Sequence, residues 1–126
     1  MRGSQRLRAC LLVAAIGGTD VIDDARARHA VPETVTVRVQ TFQFRPTPLA
    51  VRAGSRVAWT NQDDIEHTIT SGTPERRDSR FASGALVRKG AAHTARFTKP
   101  GTYAYYCERH EFMRGEIHVI PTGEPQ

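Results

Sequence analysis

The sequence predicts an all-β protein, an antiparallel two-sheet Greek-key sandwich of seven to eight strands. Three observations carry this expectation. Apolar residues recur at every second position in short runs, turn-forming Pro and Gly separate those runs, and no stretch keeps a helical period for more than about two turns. The 126 residues, 39% hydrophobic and 25% charged, suit one modest globular core rather than a disordered tail or a polytopic membrane protein.

Taken in chain order, the first segment is not part of the sandwich. Arg2, Arg6 and Arg8 precede the apolar run Ala9 to Ile16, the layout of a charged n-region and a short h-region of an export signal. The run is too short to span a bilayer as a helix. Cleavage candidates follow at Ala25-Arg26-Ala27 and Ala30. Residues 1–30 are therefore assigned to a signal peptide and short leader, and 31–126 to a single domain that is periplasmic or otherwise exported, with no membrane insertion of its own.

The strands begin at Thr34 to Gln40, where Val35, Val37 and Val39 share one face. Phe42 and Phe44 continue that alternation, and Pro46 and Pro48 interrupt the ladder as they would at an edge or bulge. Leu49-Ala50-Val51 leads into the turn Ala53-Gly54-Ser55, and Arg56 to Thr60 is the next strand. Ile65 to Ser71, His93 to Phe97, Thr102 to Cys107 and Glu116 to Ile120 complete the set, with Lys99-Pro100-Gly101 as a turn. Pro74 to Gly84 is the one place with room for a short helix. Trp59, Phe42, Phe44 and Phe97 are expected in the core, and alternation turns either Tyr105 or Tyr106 inward.

Charge and cysteine content change once the leader is set aside. The whole chain carries 18 Lys and Arg against 13 Asp and Glu, a basic balance that would suit nucleic acid. Residues 31–126 keep 13 positive and 10 negative groups, so that argument weakens and no nucleic-acid partner is expected. Cys10 leaves with the leader and Cys107 stands alone. An unpaired cysteine in an oxidising compartment is a liability or a ligand.

Cys107, His110 and Met113 stand at i, i+3 and i+6 in one loop between two strands. A thiolate and two imidazoles in a plane with a weak axial thioether suit copper cycling between Cu(I) and Cu(II). The second imidazole is expected from His67, which follows the polar loop Asn61 to Glu66. His29 lies in the leader, and His93 and His118 lie within strands as ordinary surface residues. Zinc, the rival ion, favours tetrahedral N, S or O donors and gains little from a methionine. Any one of these side chains alone is more often plain structure, a buried thiol or a core filler; their joint spacing argues for ligation.

The residues resemble the cupredoxins, the type 1 blue copper proteins, and are most similar to amicyanin within the plastocyanin and pseudoazurin group. The resemblance covers about residues 33–120. It places the copper ligands on His67, Cys107, His110 and Met113, in the short Cys-x2-His-x2-Met loop, with Phe112-Met113-Arg114-Gly115 and the upstream Trp59-Thr60-Asn61 in matching positions. Two departures stand out. Glu108, Arg109 and Glu111 replace prolines that would stiffen the loop. Thr68 stands where relatives often carry Asn, leaving its backbone N–H to donate to the Cys107 sulfur and a weaker side-chain latch between the two ligand loops.

Four protein ligands leave no open position for substrate, so no enzymatic activity is expected. The expected role is a monomeric electron carrier between a redox donor and acceptor, each a dehydrogenase, cytochrome or reductase, with His110 as the exposed port and Phe112 on its rim. The alternative is copper scavenging or a chaperone role, which favours a more open site. Asp63, Asp64, Glu66, Glu108 and Glu111 are expected to make the copper end acidic and steer a cationic partner.

Overall fold

The computed structural model describes residues 33–123; the predicted export signal, Cys10 and His29 lie outside them. Nine strands are present among these residues: β1 (Thr34–Gln40), β2 (Gln43–Arg45), β3 (Leu49–Arg52), β4 (Arg56–Asn61), β5 (His67–Thr73), β6 (Arg76–Leu86), β7 (Ala92–Arg96), β8 (Gly101–Tyr106) and β9 (Arg114–Ile120). They form a four-stranded sheet in the order β2-β1-β4-β7 and a five-stranded sheet in the order β3-β9-β8-β5-β6.

The all-β, two-sheet expectation holds, with one change in strand direction. β1 runs parallel to β4 and β3 parallel to β9, so both sheets are mixed. The cause is topological: the chain leaves β1 and β2, crosses to the other sheet as β3, and returns beside β1 as β4. Side-chain alternation reports which face is buried and is blind to the direction of the neighbouring strand. The other difference is at Pro74 to Gly84. Most of it belongs to β6, an eleven-residue strand antiparallel to β5 with register shifts between Thr68 and Gly72. Pairing with β5 supplies its backbone with partners, and that tertiary gain outweighs weak local propensity.

The core lies between the sheets. Val37 and Val39 of β1, Val57 and Trp59 of β4, Ile69 of β5 and Ile117 of β9 are fully buried. Trp59 stacks on Phe81 and meets Phe97 and Tyr105 edge-on. Phe44 and Phe97 are buried as expected, but Phe42 is 40% exposed and belongs elsewhere. Tyr105 and Tyr106 are both buried, on opposite faces of β8. Tyr105 joins the core, whereas the Tyr106 hydroxyl accepts a hydrogen bond from Arg77 Nε at 3.0 Å. His93 is half-buried against Trp59, and desolvation lowers its pKa; His118 bonds to Glu116 Oε2.

This arrangement carries the loops at one end of the sandwich. β5 pairs β8 antiparallel, with Thr70 opposite Tyr106, so the start of β5 meets the end of β8. His67 and Cys107, forty residues apart, are thereby neighbours. Asn61 closes the same end. Its buried amide donates to Ile65 O at 2.8 Å and to Leu86 O at 2.9 Å, and its Oδ1 accepts from Asp63 N–H at 2.9 Å. Asn61→Ala strands two carbonyls and one amide, and should lower the apo protein's unfolding free energy by about 2–3 kcal/mol in a urea titration. A change below about 0.5 kcal/mol would mean that water replaces the amide without loss.

Candidate metal centre

Cys107 is the free cysteine among the described residues and is fully buried. Its sulfur lies 3.9 Å from His67 Nδ1 and 3.8 Å from His110 Nδ1, and these three donor atoms lie within 4.8 Å of one another. Donors that share one ion, at about 2.0–2.1 Å for nitrogen and about 2.3 Å for sulfur, would stand roughly 3.5–3.8 Å apart. The observed separations fit that expectation with little adjustment. Met113 is buried in the same cluster as Cys107, which makes its thioether the remaining soft donor. The donor set is that of copper rather than zinc, because the nearby carboxylate of Asp63 is engaged at the far nitrogen of His67.

The Cys107–Met113 loop is closed by its own backbone. Cys107 N–H donates to Met113 O at 3.1 Å and Met113 N–H to His110 O at 2.8 Å. Thr68 N–H donates to the Cys107 sulfur at 3.4 Å, as expected from its position. The latch across the loops is also made, since Thr68 Oγ1 accepts from Glu108 N–H at 2.8 Å.

The family whose model matches residues 31–120 is the copper-binding proteins of the plastocyanin/azurin family. The chain belongs to the plastocyanin/azurin family. Among curated relatives of this family, amicyanin-alpha of Methylorubrum extorquens is 29% identical over 107 residues, covering 83% of each chain. Amicyanin of Paracoccus denitrificans is 26% identical over 131 residues, covering 94% of this chain and 99% of its own. Among solved structures, the Cu(I) form of an amicyanin variant superposes with a TM-score of 0.62 at 26% identity, covering 75% of this chain and 89% of that one. A purple cupredoxin from Nitrosopumilus maritimus matches in fold with a TM-score of 0.62 at 24% identity, covering 68% and 99%. The cofactor is a single type 1 copper, as both the family and the donor set require.

Within this plastocyanin/azurin site, two residues have roles that the sequence did not make legible. Asp63, expected from the sequence to steer a cationic partner, accepts hydrogen bonds from Thr41 N–H at 2.8 Å and Phe42 N–H at 3.1 Å, and bonds His67 Nε2 at 2.8 Å. Desolvation alone would push its carboxyl up, but the two amides and His67 together hold it below the usual carboxylate value. It therefore stays an acceptor at neutral pH and fixes His67 with Nδ1 facing Cys107. Phe42 is the second. Instead of joining the core, its ring meets His67 and His110 edge-on at centroid distances of 5.6 and 5.1 Å and lies 6.4 Å from Phe112. Thr41 and Phe42 adopt φ of 53° and 57°, a left-handed pair that costs non-glycine residues about 1–2 kcal/mol each.

The acidic copper end is only partly free. Asp63 is engaged as described, Glu66 pairs with Arg109 at 2.7 Å, and Glu108 pairs with Arg77 at 3.1 Å while accepting from Thr70 Oγ1. These contacts tie the Cys107–Met113 loop to the 61–66 loop and to β6 through Glu108 and Arg109, two of the residues that the resemblance sets in place of stiffening prolines. His110 is half-exposed and Phe112 is 71% exposed, so the imidazole reaches the surface beside an apolar rim.

Proposed function

We propose that His67, Cys107, His110 and Met113 are the copper ligands, and that the protein is an exported single-electron carrier that docks through the His110 end. The observation that carries this reading is a thiol and two imidazole nitrogens at 3.8–3.9 Å in a closed site where only His110 reaches solvent. Bound copper supplies reversible one-electron exchange between Cu(II) and Cu(I).

The chain's own residues set the conditions for that exchange. Asp63 orients His67, and Thr68 N–H stabilises negative charge on the Cys107 sulfur. Burial of Cys107, His67 and Met113 keeps water from the donors, so little solvent has to reorganise as charge changes. Four such ligands would leave an ion no free coordination position, which argues against catalysis. Partners are redox proteins, a donor and an acceptor, that the protein meets as a monomer. The charged n-region and apolar run before residue 30 support export, and no helix among the described residues is long and apolar enough to cross a membrane.

The test is reconstitution. One equivalent of Cu(II) added to the apo protein should give an intense blue species that a mild reductant bleaches and an oxidant restores. A pale complex would reject the thiolate ligand set. Rapid loss of copper to a competing chelator, with slow electron exchange, would favour copper handling over electron carriage.

A further inference from the structure

The two imidazoles of the centre are held by different means. His67 is fully buried and anchored at Nε2 by Asp63. The His110 imidazole has no hydrogen-bond partner other than the Cys107 sulfur among the described residues, and its ring is contacted instead by aromatic neighbours. Of these, Phe112 belongs to the same loop and is mostly exposed, so it moves with His110. His67 is the other ligand. Phe42 is the contact that comes from outside the two ligand loops, on the β1–β2 turn, with its ring nearly perpendicular to His110 at 87°.

The turn that carries Phe42 is not one its sequence would form unaided. Neither Thr41 nor Phe42 is a residue suited to left-handed backbone, and a β-branched residue is among the least suited. The conformation is held from outside by the Asp63 carboxylate, twenty-two residues away, which binds both turn amides. One carboxylate thus fixes His67 directly and, through the turn, sets the place of the ring that packs on His110.

From this we infer that Phe42 is the positioning residue for His110: its ring, held by the Asp63-bound turn, fixes the imidazole plane and slows release of His110 from copper. The inference rests on the ligand assignment proposed above. It also gives the strained turn a purpose, since such backbone persists only where its surroundings hold it, here through Asp63.

The experiment uses the full domain loaded with copper, at neutral pH. Wild type, Phe42→Ala, Phe42→Leu and Phe42→Tyr are compared as Cu(I) proteins by the NMR linewidth of the His110 ring and by the rate at which bicinchoninate removes copper. Phe42→Ala should stay blue when oxidised, broaden the His110 ring signals and lose Cu(I) about three- to tenfold faster, the range expected from losing one aromatic edge contact. Phe42→Tyr keeps the ring and should behave as wild type, while Phe42→Leu, which keeps bulk, should fall between and covers a poorly folding alanine variant. Asp63→Ala should broaden His110 although it does not touch it, and the double variant should broaden it no further. A His110 ring as sharp in Phe42→Ala and Phe42→Leu as in wild type, with unchanged copper loss, overturns the inference. A wild-type protein that is not blue instead overturns the ligand assignment, so the two failures are distinct.

Discussion

Replacing Cys107 with serine is expected to abolish the blue absorption completely while leaving the apo fold in place. The colour of a type 1 site comes from charge transfer between thiolate sulfur and Cu(II), and a serine oxygen is a hard donor that also binds Cu(I) poorly. The structural cost is small. The substitution keeps the Cys107 N–H to Met113 O bond, and the smaller hydroxyl can accept from Thr68 N–H, which now points at sulfur. The apo variant should therefore unfold within about 1–2 kcal/mol of wild type, whereas copper titration should give at most a pale complex. A variant that remained intensely blue would show that sulfur is not supplied by Cys107.

Gly115→Ala is expected to overpack the core, lowering stability by about 1–3 kcal/mol and shifting the urea midpoint accordingly. Gly115 lies directly opposite Tyr105 in the β8–β9 pair, and the tyrosine ring crosses over it. A Cβ at this position would collide with Cζ and the hydroxyl of Tyr105. The ring is 1% exposed and packed against Phe44 at 4.8 Å and Trp59 at 5.3 Å, so moving it disturbs the core. Removing the hydroxyl with Tyr105→Phe should give only partial rescue, since the ring carbon collides as well. Tyr105 is two residues from Cys107, so the copper-loaded variant should also show a shifted visible band. An unchanged midpoint would mean that the core yields to the methyl group without penalty.

The same glycine shows why a loop motif can be read correctly in a sequence without its reason being visible. Met113-Arg114-Gly115 is a recognisable string, but only the cross-strand register shows that the glycine makes room for an aromatic ring. The prolines missing from the ligand loop are a parallel case. Their absence is plain in the sequence, while the ion pairs of Glu66 with Arg109 and Glu108 with Arg77 that span the same positions require the fold to bring the partners together. Each such exposed pair contributes about 0–1 kcal/mol and weakens with salt.

By itself the sequence determined the all-β class, the two-sheet core and the candidate ligands. Period-two alternation is a local signal, as in β1, and Cys107, His110 and Met113 lie within seven consecutive residues, so their chemistry is legible at short range. His67 was legible because it stands just after a polar loop, at the start of a strand. Tertiary structure alone decided the parallel pairings, the strand character of β6, and the roles of Asp63 and Phe42. Alternation cannot name a neighbouring strand or its direction, and it extended one residue too far at Phe42 because nothing near Thr41 marks a left-handed turn. The carboxylate that holds this turn is twenty-two residues downstream. A contact made across that distance exists only once β1 has paired with β4, and it is there that a surface phenylalanine becomes part of the metal centre.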